Sequence, residues 1–509
     1  MFAHTDKDCF IYPVTSGGVD YYVTLRPEKK MKENEFNNFI NNQWIGDSDN
    51  IINVYNPATG KSIGTVPNFG AEETRQAIEA AHKAFKAWSK TPAKVRSNYL
   101  KRVRELIVEN KEELAEIITK EMGKPIAEAR GEIDYTANFF EWNAEEAKRV
   151  YGRIIPGRDE NNRMQVIKQP VGVVASISPW NFPAAALCKK LPAALAAGCT
   201  IVIKPASQAP ITAIKLMELF EKAEVPKGVV NLVTGKSSEI GAELMSNPKV
   251  RKVSFTGSTE IGKLLIKQSA DNVKKLSLEL GGHAPFIILD DADMEKAVQG
   301  VLACKFRASG QTCICANRVY VQKKVYNKFV ELFAKEVKKF NVGNGLDDNV
   351  NMGPIIDKHG YQKVKDQVDD AVEKGATLVV GGPGECKEDN VYYYLPTVLK
   401  DITSDMIIME EETFGPVAPV QMFEDDNEAI QLANDSVYGL ASYVYTASLK
   451  RGTKIAEELE YGIVGWNDGA PSAPEAPFGG VKESGYASEG GIEGVDAYLE
   501  TKYISMNLI

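Results

Sequence analysis

Among the seven cysteines of the 509-residue chain, at positions 9, 188, 199, 304, 313, 315 and 386, one stands in a setting suited to chemistry. Cys313 lies in Phe306-Arg-Ala-Ser-Gly-Gln-Thr-Cys-Ile-Cys-Ala-Asn-Arg318, where Ser309, Gly310, Gln311 and Thr312 end a helical pattern. A thiol at such a break can face a cleft and take backbone N–H donors; either would favour the thiolate, the reactive form. Cys9, Cys188, Cys199, Cys304 and Cys386 carry no polar context and read as small buried hydrophobes. Cys315 reads as a structural neighbour of Cys313, with a redox partner as the alternative. Histidines are sparse (His4, His82, His283 and His359), so a Cys–His pair is hard to build. None has metal-ligand spacing, and no metal is expected. A carboxylate is the better base. Glu279, in Lys275-Leu-Ser-Leu-Glu-Leu-Gly-Gly282, is an acid inside an apolar strand. Burial there raises its pKa toward the useful range; a structural ion pair is the competing reading.

A second constellation is Gly257-Ser-Thr-Glu-Ile-Gly262-Lys263, which matches most of a phosphate loop. The next residue is Leu264, so the magnesium-binding hydroxyl is missing and a nucleotide triphosphatase reading is poor. A strand ending in Thr256-Gly257-Ser258 at a helix N-terminus still offers N–H groups and a positive dipole end to an anion such as a pyrophosphate. A plain helix cap is the alternative.

The elements that must position these groups alternate. Residues 71–149 have helical spacing of apolar positions, and 153–170 suit a hairpin turning at 158–162. Short β-branched runs at 171–177, 200–205, 228–235 and 251–257 are separated by helical patterns at 184–197, 210–224, 236–247 and 259–270. Such strands with helical crossovers predict a parallel sheet covered on both faces. A second alternating set follows from 284–290 to 411–465. The expected fold is therefore α/β: two doubly wound domains, one Rossmann-like, plus a hairpin and a C-terminal strand. Expected boundaries are an extension at 1–31, a dinucleotide domain at 32–152 and 171–290, a cysteine domain at 291–468, and a hairpin and tail at 153–170 and 484–509. Those last two either pair across subunits or pair within the chain.

Bulk properties exclude other classes. At 509 residues the chain is too long for one core. Net charge is −9, with no basic stripe, which argues against nucleic acid. No apolar run reaches the roughly 18–20 residues of a membrane span. The N-terminus lacks a basic segment followed by a continuous apolar one, so no signal peptide is read; Met31 is a candidate alternative start. Scattered thiols in a long chain point to a reducing compartment, taken here as the cytoplasm.

Together the segments Pro179-Trp-Asn-Phe-Pro183, Lys204-Pro205, Phe255-Thr-Gly-Ser258, Glu279-Leu-Gly-Gly282, Gly310-Gln-Thr-Cys313, Glu411-Glu-Thr-Phe-Gly-Pro416 and Pro477-Phe-Gly-Gly-Val-Lys482 resemble the aldehyde dehydrogenase superfamily, in its motif order, from about residue 36 to 505. The resemblance implies Cys313 as nucleophile, Asn181 with the Cys313 N–H as oxyanion hole, and Glu279 as the base that activates water. It implies cofactor contacts from Trp180, Lys204, Ser207, Gly257, Ser258, Leu280, Glu412 and Phe414. Glu279 favours hydrolysis to a free acid over transfer to coenzyme A. Members that use NAD often carry a glutamate where Ser207 stands; a neutral hydroxyl beside Lys204 tolerates a 2′-phosphate, so NADP is expected, with NAD possible. Cys304-Lys-Phe-Arg307 and its neighbours look closest to the succinate-semialdehyde dehydrogenases, which need cations for the substrate's far carboxylate. Arg307 matches one. Lys189 stands where a second arginine is expected, keeping the charge but losing the bidentate fork; Ser472 is a further carboxylate contact. A surface salt bridge is the rival reading of Arg307. The implied partners are a small aldehyde and copies of the chain, as homodimer or homotetramer. Competing functions are oxidation of another ω-carboxy or neutral aldehyde, a cofactor-free thiol hydrolase, and a catalytically dead binding protein. The anion site argues against the hydrolase, and intact Asn181, Glu279 and Cys313 argue against the dead protein.

Overall fold

The computed structural model describes residues 10–16, 19–25, 34–47, 49–384 and 390–508. Cys9, Cys386, His4 and Met31 lie outside them. Within the N-terminal extension, Phe10–Ser16 and Val19–Leu25 pair antiparallel.

After short strands at Asn38–Ile40, Gln43–Ile45, Ile51–Tyr55 and Ser62–Pro67 come four helices: Ala71–Trp88, Ala93–Glu109, Lys111–Met122 and Ile126–Glu146. The first shows why they form. Thr74, Ala77, Ile78 and Ala81 recur at three- and four-residue steps and are all buried, while Glu72 and Glu73 sit in the first turn, where the helix dipole favours them.

An eight-stranded sheet runs in the order Gly485–Tyr486, Lys275–Glu279, Val250–Thr256, Val173–Ile177, Thr200–Lys204, Val230–Leu232, Asn38–Ile40, Gln43–Ile45. Its five central strands are parallel. The strand order reverses at Val173–Ile177, which makes this a doubly wound sheet with a switch point beside that strand. The second sheet has seven strands: Thr377–Pro383, Tyr394–Lys400, Val417–Phe423, Ala316–Gln322, Ala284–Ile288, Ala441–Tyr445 and Ile463–Trp466. All neighbours are parallel except the first pair. Phe286 and Ile288 pack into one core and Ile287 and Leu289 into another, so this sheet is buried on both faces.

Three expectations are corrected. The passage between sheets falls after Glu279, not near 290, because Ala284–Ile288 already pairs with Ala316–Gln322. The tail from 484 is not wholly separate, since Gly485–Tyr486 extends the first sheet on Lys275–Glu279. The helix expected at 184–197 is two short ones, Ala185–Cys188 and Leu191–Ala197. The hairpin at 153–170 forms as Arg153–Ile155 against Asn162–Pro170. Its long strand pairs along its whole length with Leu499–Asn507 of the same chain.

Candidate active site

Two loops meet at the switch point of the first sheet. Val173–Ile177 leads into Trp180 and Asn181, and Val250–Thr256 leads into Gly257 and Ser258. Loops at the carboxyl ends of parallel strands beside a reversal form a crevice suited to a ligand. Ser258 caps the 11-residue helix Thr259–Ser269, accepting from the Ile261 N–H at 3.4 Å. The phosphate-loop likeness dissolves at the other end of this segment. Gly262 is small because a Cβ there would meet Leu280 at 2.5 Å, and Lys263 pairs with Glu483 at 2.7 Å on the surface.

The cysteine segment comes from the second sheet. Helix Met294–Lys305 stops, and Ala308, Ser309 and Gly310 follow with positive φ of 49°, 58° and 73°. Two non-glycine residues in that region cost energy and persist only where surroundings hold them. Here the Ser309 hydroxyl donates to Gly353 O at 2.8 Å, the Gln311 amide donates to Ala308 O at 3.0 Å, and the Gln311 carbonyl oxygen accepts from the Ile356 N–H at 3.0 Å. The turn delivers Cys313 half-buried to a cavity of about 730 Å³. Asn181, Glu279, Trp180, Gly257, Ser258, Leu280, Glu412, Phe414, Arg307, Lys189 and Ser472 line the same cavity. Lys204 and Ser207 do not; Lys204 is buried at the end of its strand, donating to Ser237 Oγ at 2.7 Å.

Electrostatics set the resting state of the two reactive groups. Glu279 is 2% exposed and neither carboxylate oxygen has a hydrogen-bond partner among the described residues. Burial above all, and the nearby Glu489 charge next, push its pKa well above the usual carboxylate range; Lys189 and Lys190 pull the other way. The structural ion pair weighed for Glu279 is thus absent, while Lys190 pairs instead with Glu489. For Cys313 the expectation of a favoured thiolate is corrected. Burial pushes the thiol up to about 12, against the pull of Lys189 and Arg307. Desolvation of the anion outweighs two cations that make no hydrogen bond to it among the described residues. Cys315 is buried and turned toward Lys305 O at 3.5 Å.

The cations sit where an anionic tail would end. Lys189 Nζ lies 3.1 Å from the Phe478 ring centroid and 5.9 Å from that of Tyr135. Ser472 Oγ is 2.5 Å from the Tyr135 hydroxyl. The Arg307 guanidinium lies 5.3 Å from the Phe182 ring, its Nε buried without a partner among the described residues, so the surface salt bridge considered for it is not formed.

The groups around the crevice fit a dinucleotide. Among the described residues Lys204 has a hydroxyl, Ser237 Oγ, as its side-chain partner, and burial lowers it to about 8. One Glu412 oxygen accepts from the Gly282 N–H at 2.9 Å, and burial raises this carboxyl to about 7. Trp180 and Phe414 meet edge to face at 5.7 Å. Residues missed from the sequence are Glu128, Glu132 and Tyr135, all lining the cavity from helix Ile126–Glu146, and Phe478 and Glu489. The helix trio carried a weak signal, polar residues at spacings of four and three, masked by the other charges of the helix such as Arg130, Asp134 and Glu141.

Residues 44–504 match the model of the aldehyde dehydrogenase family. The chain is 52% identical over 472 residues to a glutarate-semialdehyde dehydrogenase of Pseudomonas putida, covering 92% of this chain and 97% of that one. It is 51% identical to a succinate-semialdehyde dehydrogenase [NADP(+)] of Escherichia coli, covering 94% and 100%. The crystal structure of succinate-semialdehyde dehydrogenase from Burkholderia pseudomallei superposes with a TM-score of 0.91 at 48% identity, covering 93% and 98%.

Proposed function

The chain belongs to the aldehyde dehydrogenase family, and from that premise we propose that it oxidises succinate semialdehyde to succinate through Cys313, with NADP as the preferred cofactor. The observation that carries the substrate class is the clustering of Lys189, Arg307 and Ser472 on the wall of the cavity that also holds Cys313, Glu279 and Asn181. Two cations and a hydroxyl there suit a carboxylate at the far end of a short aldehyde.

The steps follow from the groups. Cys313 Sγ gives its proton to water as it adds to the aldehyde carbon, and the alkoxide that forms is held by the Asn181 side-chain amide and the Cys313 backbone N–H. A bound nicotinamide would supply the hydride acceptor, and loss of hydride from this adduct leaves a thioester on Cys313. Gly257 and Ser258 would present the helix N-terminus to the pyrophosphate, and Glu412 and Lys204, the latter turned from Ser237 Oγ, would hold ribose hydroxyls. Ser207, three residues after Lys204, carries no charge that would repel a 2′-phosphate. Glu279, in the ionised form that exists above its raised pKa, then takes a proton from water, whose oxygen attacks the thioester, and Cys313 leaves as thiolate as the acid is released. Two covalent steps replace one difficult one.

Glutarate semialdehyde, one methylene longer, is the second reading, favoured by lysine in place of an arginine at Lys189 and by the 52% identical relative. The outer edge of Leu499–Asn507 supports assembly into a homodimer or homotetramer. A cytoplasmic location is supported by five free thiols and by the lack, among the described residues, of any helix long and apolar enough to cross a membrane.

The test is steady-state kinetics of Arg307→Ala. Loss of one charge-assisted contact raises the Michaelis constant for succinate semialdehyde about tenfold or more, with little change for an uncharged aldehyde of equal length. In the same assay the parent shows a higher kcat/KM with NADP than with NAD. An unchanged Michaelis constant defeats the substrate assignment.

A further inference from the structure

Charged groups on and just before the helix Ile126–Glu146 take no part in the steps above, yet they are buried at the cavity wall. Lys124 and Glu132 form an ion pair at 2.6 Å, each side chain 1% exposed. Burying two charges this fully is repaid only when their remaining donors and acceptors also find partners. Here those partners fall on one segment. The Lys124 ammonium donates to the Asn181 backbone carbonyl at 2.8 Å and lies 3.7 Å from the Phe182 ring centroid. The other Glu132 oxygen accepts from the Ala184 and Ala185 N–H groups at 3.0 and 3.1 Å. One turn earlier on the same helix, Glu128 accepts from the Ala308 N–H at 2.7 Å, at the start of the left-handed turn that leads to Cys313. Asn181 Nδ2 closes the circuit by donating to Gln311 O at 2.8 Å.

We propose that the Lys124–Glu132 pair and Glu128 are positioning residues that hold the Asn181 side-chain amide in register with the Cys313 backbone N–H. The inference rests on the reading of those two donors as the oxyanion hole. The donors come from segments belonging to different sheets, and beyond the Asn181 Nδ2 bond to Gln311 O their separation is set by what packs against both. Such donors stabilise developing charge only when aimed before the reaction begins, and a misplacement of about 1 Å can cost on the order of a hundredfold in rate. One helix that contacts both segments supplies the missing constraint.

The test uses the full-length chain and compares Lys124→Met/Glu132→Gln, Asn181→Ala and their combination. Changing both members of the pair avoids stranding one buried charge. The pair variant is expected to keep the parent's melting temperature to within a few degrees and its Michaelis constants and NADP affinity to within about twofold, while kcat falls about a hundredfold. Added to Asn181→Ala, it costs less than about threefold more, because both changes disable the same device. Fully multiplicative losses, or an unchanged kcat in the folded pair variant, overturn the proposal. Parent-like turnover by Asn181→Ala alone would instead defeat the oxyanion-hole reading. If the pair variant does not fold, Glu128 decides. Glu128→Ala loses about tenfold more kcat than Glu128→Gln, which keeps an acceptor for the Ala308 N–H; equal rates overturn the proposal.

Discussion

Glu279 is held at the end of an apolar strand with no hydrogen-bond partner for either oxygen among the described residues, an arrangement that serves chemistry at the expense of stability. An unfolded glutamate releases its proton at about pH 4.3. Folded, burial keeps the proton on to a much higher pH. As pH rises between those two values the unfolded chain gains charge and the fold does not, so stability falls across that window and stays lowered above it. Glu279→Gln removes the penalty. Its melting temperature should exceed the parent's by an amount that grows from pH 5 to pH 8, reaching about one to a few degrees. A constant difference across that range in thermal unfolding scans would contradict the account of this side chain. The identity of Glu279, Cys313 and Asn181 as candidates was legible from residue type and motif. Their protonation was only half legible. Burial raises the carboxyl as expected, but it raises the thiol too, and the depth of a pocket is not written in a thirteen-residue segment.

At the scale of elements, the turn before Cys313 is the least forgiving piece. Gly310 has φ of 73°, and a Cβ there would meet Gly415 O at 2.1 Å. Gly310→Ala therefore has to displace the Gly415-Pro416 backbone or unwind the turn. It should lose at least about 2 kcal/mol of stability and most of the reactivity of Cys313 toward iodoacetamide. Parent-like alkylation rates in a folded variant would show that the turn does not aim the thiol. The strands and helices themselves were readable, because apolar periodicity follows directly from which face is buried. Helix Ile126–Glu146 shows what periodicity leaves out. Charges on a helix ordinarily mark the solvent side, and the partner of Glu128 is the Ala308 N–H, 180 residues away. Lys204 and Ser207 show the opposite case, matching motif positions yet standing off the cavity wall until a dinucleotide would bring Lys204 into use.

Across the whole molecule, two sheets contribute to one site. Asn181 follows a strand of the first, Glu279 ends another strand of it, and Cys313 precedes a strand of the second. The point of passage was misplaced by several residues because Ala284–Ile288 is a short apolar run in the same strand–helix alternation, and composition does not say which sheet a strand joins. Terminal-strand pairing could not be decided from sequence either, since alternation names no partner. The structure pairs it within the chain and, among the described residues, leaves its outer edge without a strand. That edge, with Tyr503 half exposed, suits a second copy. Light scattering should give a mass of two or four chains, and a mass of one chain would contradict the assembly. The central claim, that Cys313 carries the acyl group and Glu279 activates the water that removes it, is tested most directly by mixing the Glu279→Gln variant with succinate semialdehyde and NADP. The account predicts a rapid burst of about one reduced nicotinamide per chain, then turnover slowed at least about a hundredfold, with one acyl group found by mass on Cys313. Turnover at the parent's rate, or a burst that leaves no acyl group on Cys313, would contradict it.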